Sequence, residues 1–592
     1  MSATNKQRGP GGDVSPYLLV GACAVVLAVA AAAWTSAAAG AALAGQPAPP
    51  SNPFALLLQL ATGAYTWPGA WATVVLVLEC AALAVAAVAG VRAVRGYRAR
   101  QQPIDAAARH MGKGKALARI SQPHAQATAE RLGSTAGIGV FLGRAVIGRQ
   151  PLYGTVEDTY VDIWGPRTGK TTRRAIPAIM DHGAAPCFVT SNKRDVVDAT
   201  RGPRSELGRV WIFDPQQIVG EPPTTWWWNP LTYVTSIARA EELAGHFAMD
   251  SRGENSTSDA HFEPAGRELL ANLLLAAALD KRPITQVYSW LSDQRDYEPE
   301  AILRKAGPDY ELSADSVRGT LDAADKERSG VFSTARRMAA ILRNPDVTRW
   351  VTPTTGLDKR EEFSPAAFST NSDTIYLISR EGAGSAGALV TALSVALCEA
   401  AEQTAMRSRG GRLARPMLGV LDEAANVCKW ANLPSLYSHY GSRGINLMTI
   451  LQSWDQGVEV WGERGMGKLW SSANVSTYGG GVLDAKFLGD ITSFIKKYEA
   501  HRRSVTRQPN NGQGGLFSSG RSTTYSTQPE ETLDVADLVE VGSGRAIVLA
   551  SQTPAVLVET VPWWEHPWAA QVQASIDRYD PADDTDTATE HA

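Results

Sequence analysis

From Tyr17 to Leu43 the chain is almost entirely Ala, Val, Leu and Gly and carries no charged side chain. A helix crosses the apolar core of a bilayer in about 20 residues, and only a helix or closed barrel satisfies its backbone polar groups there. This run is longer than that, and a second, from Trp71 to Val91, follows it. The pair predicts a two-helix membrane anchor over 16–92, since a cleaved signal peptide has a shorter apolar part and no second run.

The orientation follows from charge. After the second run come Arg92, Arg95, Arg98, Arg100, Arg109, Lys113, Lys115 and Arg119 against one acid, Asp105, whereas the Pro-rich connector Gln46–Gly69 has no charge. Lys and Arg are retained on the cytoplasmic side, so the segment 1–15, the basic juxtamembrane linker 93–133 and everything after it are expected there, as in a multi-pass cell-membrane protein with both termini cytoplasmic. Such a run commonly also contacts anionic lipid, and it admits a second reading as a DNA-binding patch. Glu79 lies inside the second run, where a carboxylate needs a partner or a position near the interface.

The 592 residues, 44% apolar and 20% charged, are enough for several domains with a full core. A net charge of −3 gives no global basic field, so nucleic-acid binding would need a local patch or a pore built by several subunits. Five cysteines stand far apart without a C-x-x-C pair, which fits packing residues in a reducing compartment and not a zinc site.

Beyond the anchor, the β-rich stretch Tyr160–Trp164 runs directly into Gly165-Pro166-Arg167-Thr168-Gly169-Lys170-Thr171-Thr172, and Thr171–Met180 has helical character. Strand, glycine-rich loop and helix are what a phosphate-binding loop requires: backbone N–H groups converge at a helix N-terminus, Lys170 adds a positive charge, and Thr171 offers a hydroxyl to Mg²⁺. Trp164 stands where the G-x-x-x-x-G-K-[ST] pattern has its first glycine. A second apolar run, Met417–Leu421, ends in Asp422-Glu423. In that position Asp422 would orient Mg²⁺ and Glu423 would polarise the water that attacks a γ phosphate. A third, Ile445–Leu451, ends at Gln452, either a γ-phosphate sensor or an ordinary strand-end glutamine. Arg443, just before that run, reads either as a charge donor to a neighbouring subunit's nucleotide or as a surface arginine.

Further β-like runs at Cys187–Thr190, Val210–Phe213, Thr374–Ser379, Val475–Tyr478 and Ala546–Ala550 alternate with helical stretches, which predicts a mostly parallel sheet covered on both faces. Ala238–Ala248, Phe262–Leu279, Ile284–Leu291 and Ser333–Leu342 have helical apolar spacing. The expected layout is a nucleotide-binding domain over 134–234 and 356–565, split by an all-α insertion at 235–355. A flexible loop rich in Gly, Ser, Thr, Asn and Gln is expected at 508–530, and an acidic disordered tail at 566–592.

The order of these landmarks, two N-terminal spans, Gly165–Thr171, Trp228-Asn229-Pro230-Leu231, a helical insertion, Leu421-Asp422-Glu423-Ala424 and Arg443-Gly444 with Leu451-Gln452-Ser453, resembles the TraG/TraD-type coupling ATPases of conjugative type IV secretion. The resemblance covers most of residues 130–565. It departs at Trp164 and at Ser191-Asn192-Lys193-Arg194-Asp195, where relatives tend to show Asp-Pro-Lys-Gly-Glu. It implies an α/β, RecA-like P-loop ATPase that uses ATP and Mg²⁺ and assembles as a homo-hexamer at the membrane. Such an enzyme recruits relaxase-bound, single-stranded DNA through the relaxase and drives it toward the type IV secretion channel. An FtsK-like double-stranded DNA translocase and a non-hydrolysing, nucleotide-dependent membrane receptor are the competing readings. An ABC-type ATPase is disfavoured, since no L-S-G-G-Q stands between the loop and Asp422.

Overall fold

The computed structural model describes residues 15–99, 102–220, 225–251, 262–354, 358–382, 384–507 and 521–581. The chain divides into two compact units, residues 1–102 and 103–592. The expectations for residues 1–14 and 582–592 and for the loop residues 508–520 lie outside the described residues.

The first unit contains helices Ser15–Ala44 and Ala70–Ala99, with the shorter helix Pro53–Ala61 between them. Leu27–Ala44 and Ala70–Ala89 are long and apolar enough to cross a membrane. The connector thus holds a helix that its Pro-rich composition hid; Asn52 caps it by accepting from Phe54 N–H, and Pro53 occupies the first turn, where a missing N–H costs nothing. The two long helices approach closely where both side chains are small. A Cβ placed on Gly40 would fall 2.3 Å from Ala72 Cβ. Glu79 accepts hydrogen bonds from the Thr35 and Ser36 hydroxyls, each 2.9 Å, so the acid of the second helix finds its partners on the first.

The second unit is built on one 11-stranded sheet. Its strands are β1 (Val140–Ala145), β2 (Pro151–Gly154), β3 (Tyr160–Ile163), β4 (Cys187–Ser191), β5 (Val210–Phe213), β6 (Thr374–Ile378), β7 (Met417–Leu421), β8 (Ile445–Leu451), β9 (Val475–Tyr478), β10 (Arg545–Ala550) and β11 (Val556–Glu559). The spatial order is β2-β1-β11-β10-β9-β3-β8-β7-β4-β6-β5. The seven strands from β9 to β5 are parallel, and β10, β11, β1 and β2 extend one edge antiparallel. Every residue of β3, β4, β6, β7, β8 and β9 is buried, as a parallel sheet covered on both faces demands. Val161, Ile163 and Phe188 join one core, and Tyr160, Val189 and Val420 the other.

Between β5 and β6 the chain is helical, from Ile237–Ser251 to Pro345–Val351. Glu298–Ala306 and Glu311–Asp322, which apolar spacing had not marked, are among these helices. The insertion has no core of its own. Leu270, Leu274, Trp290 and Phe332 belong to the same cluster as Phe213, Trp226 and Leu389.

Three boundaries differ from expectation. The basic linker 93–133 is folded from Pro103 onward, in turns Pro103–His110 and Gly114–Ile120 and helix Gln122–Leu132, because Leu117 and Ile120 among the cations are wholly buried. Its charges are also partly spent inside the body, Arg119 pairing with Asp158 at 2.8 Å and Asp105 with Arg545 at 2.6 Å. Within the expected loop 508–530, residues Arg521–Glu530 form a strand paired antiparallel with Tyr498–Arg507, in register from Tyr498 with Glu530 to Arg507 with Arg521. Thr and Tyr favour a pleated ribbon even where polar composition suggests disorder. The expected tail 566–592 begins with helix Ala569–Tyr579. Val572 and Ser575 are buried, Ser575 Oγ donates to Asp198 O on helix Asp195–Ser205 at 2.5 Å, and the Arg201 guanidinium lies 3.6 Å from the Tyr579 ring centre.

Candidate nucleotide site at the carboxyl edge of the sheet

In an open parallel sheet the strands end together, and the groups just beyond their carboxyl ends share one edge, where ligands bind. Ile163 of β3 is level with Leu451 of β8, Thr449 of β8 with Leu421 of β7, Thr190 of β4 with Leu421, and Ser191 with Ile378 of β6. The residues that follow these ends are therefore neighbours: 164–171, Asn192, Glu381, Asp422-Glu423 and Gln452.

The loop after β3 is anchored at its base. Trp164 N–H donates to Leu451 O and Gly165 N–H to Gly480 O, both 2.9 Å. The Trp164 side chain is fully buried. A Cβ on Gly479 would sit 2.1 Å from that ring, and one on Gly165 would sit 2.1 Å from Gly481 O. Gly165 thus takes the close-approach role that the pattern gives to position 164, and Trp164 is a core residue beneath it. Gly479-Gly480-Gly481, which follows β9, forms the loop's other wall; three glycines after a strand were the signal available in sequence.

The loop turns through Arg167 (φ 59°) and Gly169 (φ 92°), and Thr168 Oγ1 donates to Gly165 O at 2.6 Å. Among the described residues, the N–H groups of Arg167, Thr168, Gly169 and Lys170 meet no protein acceptor. Four such donors at the start of the helical run Thr171–Asp181 form an anion-binding cradle. Thr171 and Thr172 open that run, and the Thr172 hydroxyl turns back to Gly169 O at 3.3 Å. Pro166 has no N–H to give. Arg174, buried one turn along, ties the helix to the sheet through Asp162 (2.7 Å) and Phe141 O (2.9 Å).

Lys170 reaches the acids after β7. Its Nζ is 2.7 Å from Glu423 Oε1 and 3.2 Å from Asp422 Oδ1, with the three side chains largely buried. Burial pushes the Asp422 carboxyl up to about 6, against the pull of Lys170. For Glu423 burial also acts upward, but its hydrogen bond with Glu381 and then the Lys170 charge prevail and hold it at about 2. Lys170 is itself raised: burial lowers it, and the two carboxylates more than reverse that. Glu423 sits in the left-handed region (φ 55°), a conformation costly for a side-chain residue and typical of functional positions. Gln452 Nε2 donates to Glu423 Oε1 at 2.9 Å, so the strand-end glutamine points at the same carboxylate. Asp422 Oδ1 is buried with the Lys170 ammonium as its partner, so a cation already meets this oxygen.

Two participants were missed from sequence. Asn192 Nδ2 donates to Glu423 Oε2 at 2.6 Å and also to Glu381 Oε1, and Asn426 Nδ2 donates to Glu381 Oε1 at 2.8 Å. Both Asn192 and Glu381 follow strand ends, which is the signal sequence offered. Arg443 is not brought to this cluster. It precedes β8, at the opposite edge of the sheet, and pairs with Glu402 at 3.3 Å.

Residues 416–542, which include Asp422, Glu423, Gln452 and the glycine run, match the family described as the TraM recognition site of TraD and TraG. The solved structure of the bacterial conjugative coupling protein TrwBdeltaN70, in an unbound monoclinic form, matches with a TM-score of 0.50 and 16% identity over 71% of this chain and 88% of that one. This likeness shows that the second unit shares that fold. Plasmid coupling protein TrwB with ADP and Mg²⁺ matches with a TM-score of 0.49 and 15% identity over 71% of this chain and 89% of that one. VirB4 of Thermoanaerobacter pseudethanolicus matches with 0.38 and 13% over 73% and 98%. No curated protein sequence matches the chain.

Proposed function

We propose that the chain is a membrane-anchored ATPase that couples hydrolysis to the movement of relaxase-bound DNA toward a type IV secretion channel. The observation that carries this reading is the convergence of Lys170, Asp422, Glu423 and Gln452 beside a loop with four open N–H groups. A triphosphate suits that set. The N–H groups of Arg167–Lys170 would bind its β and γ oxygens, and Lys170 would leave the acids for the phosphates. Mg²⁺ would be held by Asp422 and the Thr171 hydroxyl and would supply positive charge to the phosphate oxygens. Glu423, freed of Lys170, takes a proton from water as the water oxygen attacks the γ phosphorus, and the β–γ bridging oxygen leaves with ADP. Gln452, which donates to Glu423, would follow the γ phosphate.

Arg443 lies at the far edge of its own sheet, so its role as a charge donor would be in trans, in a homo-hexamer. Helices Ser15–Ala44 and Ala70–Ala99 would hold the ring at the membrane with the ATPase body and both termini cytoplasmic. The family match over 416–542, whose description names a TraM recognition site, supports docking of a DNA-processing complex carrying the relaxase. Non-specific phosphate contacts suit a motor that must travel along any single strand.

The test is ATP turnover by the full chain in lipid vesicles, with single-stranded DNA, double-stranded DNA or none. The wild type should hydrolyse ATP and respond to DNA, Lys170→Ala should abolish turnover, and Glu423→Gln should bind ATP without hydrolysing it. Unchanged turnover in both variants would overturn the assignment.

A further inference from the structure

The departure at Ser191-Asn192-Lys193-Arg194-Asp195 places an amide against the acid given the hydrolytic role. Both oxygens of Glu423 are engaged: Oε1 by Lys170 (2.7 Å) and Gln452 (2.9 Å), Oε2 by Asn192 (2.6 Å). When phosphate draws Lys170 away, Oε1 becomes available to water while Oε2 stays held. The Asn192 bond is therefore the one that fixes where Oε1 points. The amide orientation is unambiguous, because both of its carboxylate partners need a donor. Its carbonyl oxygen is buried without a donor, an unmet acceptor of the kind retained where a ligand or its water completes the site. Glu381 in turn fixes Asn192: it accepts from the same Nδ2 and from Asn426, which lies in the short helix Ala424–Val427 directly after Glu423. Glu423, Asn192, Glu381 and Asn426 thus form a hydrogen-bonded ring that returns to the chain segment it started from.

We propose that Asn192 is the positioning residue for the hydrolytic carboxylate, holding Glu423 Oε2 so that Oε1 is aimed at the attacking water, with Glu381 as the acceptor that orients the Asn192 amide. This rests on the ATPase reading. A misaimed carboxylate costs rate without costing nucleotide binding, since neither Asn192 nor Glu381 touches the phosphate cradle.

Steady-state ATP hydrolysis by the full chain in vesicles, together with equilibrium binding of a fluorescent ATP analogue, separates the alternatives. Asn192→Ala is expected to lower kcat by about 10–100-fold, the usual effect of displacing a reacting group by an ångström, with KM and analogue affinity within about threefold of wild type. Glu381→Gln keeps a carbonyl acceptor for Asn192 and should stay within about threefold, whereas Glu381→Ala should lower kcat. Wild-type kcat in Asn192→Ala, or a fall in analogue affinity equal to the fall in kcat, would overturn the inference. If the wild type hydrolyses ATP and Glu423→Gln does not, such a result refutes Asn192 alone; if the wild type shows no turnover, the ATPase reading itself has failed.

Discussion

Replacing Trp164 by glycine would restore the G-x-x-x-x-G-K-T pattern, and the structure says that it would damage the loop. The ring is wholly buried, with Gly479 packed on its face and Gly165 held against Gly481 just above it. Truncating a buried Trp costs about 3–5 kcal/mol, and a glycine in its place adds roughly 0.5–1 kcal/mol of unfolded-chain entropy. The sum is about 4–6 kcal/mol, a large share of the roughly 5–15 kcal/mol that holds a domain folded. With an unfolding entropy of about 2 cal/mol/K per residue over roughly 490 residues of the second unit, each kcal/mol is worth about 1 °C, so Tm should fall by about 4–6 °C. Differential scanning fluorimetry of wild type and Trp164→Gly gives Tm, and titration of a fluorescent ATP analogue gives the loop's affinity, which should weaken as Gly165 loses its support. Trp164→Phe is the control: it loses part of the ring but also removes the buried Nε1–H that has no acceptor, so the two effects offset within about 2 kcal/mol. An unchanged Tm with tighter nucleotide binding in Trp164→Gly would show that Trp164 obstructs the loop, and the reasoning would be refuted.

Other consequences follow from neighbouring contacts. Gly165→Ala puts a Cβ 2.1 Å from Gly481 O, so the loop must shift, and analogue affinity should fall at least tenfold in the same titration. Arg174→Ala leaves Asp162 as an unpaired buried charge, and a loss of about 3–5 kcal/mol should appear as a lower Tm; a change below 1 kcal/mol would contradict the role given to that pair. His182 and His246 are buried neutral, burial lowering them from 6.5 to about 3 and about 4. Below pH 6.5 the unfolded chain takes up protons that the folded one refuses, so these residues remove stability as pH falls, by on the order of 3 kcal/mol each at pH 4. Tm measured from pH 7 to pH 4 should drop less steeply in His246→Leu than in wild type, and equal slopes would count against this account.

Much of the site was legible because its signals are local. A strand that runs into glycine, lysine and threonine needs no partner to be recognised, and neither does an apolar run that ends in two acids. Asn192 and Glu381 had the same strand-end position but no pattern around them, and the polar run that pairs as Arg521–Glu530 was masked by its composition. Helix Ala569–Tyr579 reads as tail in sequence because the acids beyond it outweigh Val572 and Ile576, whose burial depends on helix Asp195–Ser205, far earlier in the chain.

The sequence by itself determined the two apolar helices, the alternation of buried strands and helices, and the residue types of the phosphate loop and its acids, since each is written in periodicity or in adjacent residues. Only the tertiary structure decided that Lys170 meets Glu423, that Gly479–Gly481 walls the loop, that Trp164 lies beneath it, and that Arg443 faces the other edge. Those outcomes depend on strand order. β3 lies between β8 and β9, and β7 between β8 and β4, so groups hundreds of residues apart in the chain become neighbours along one edge. No local pattern records which strand packs beside which; burial of both sheet faces sets it.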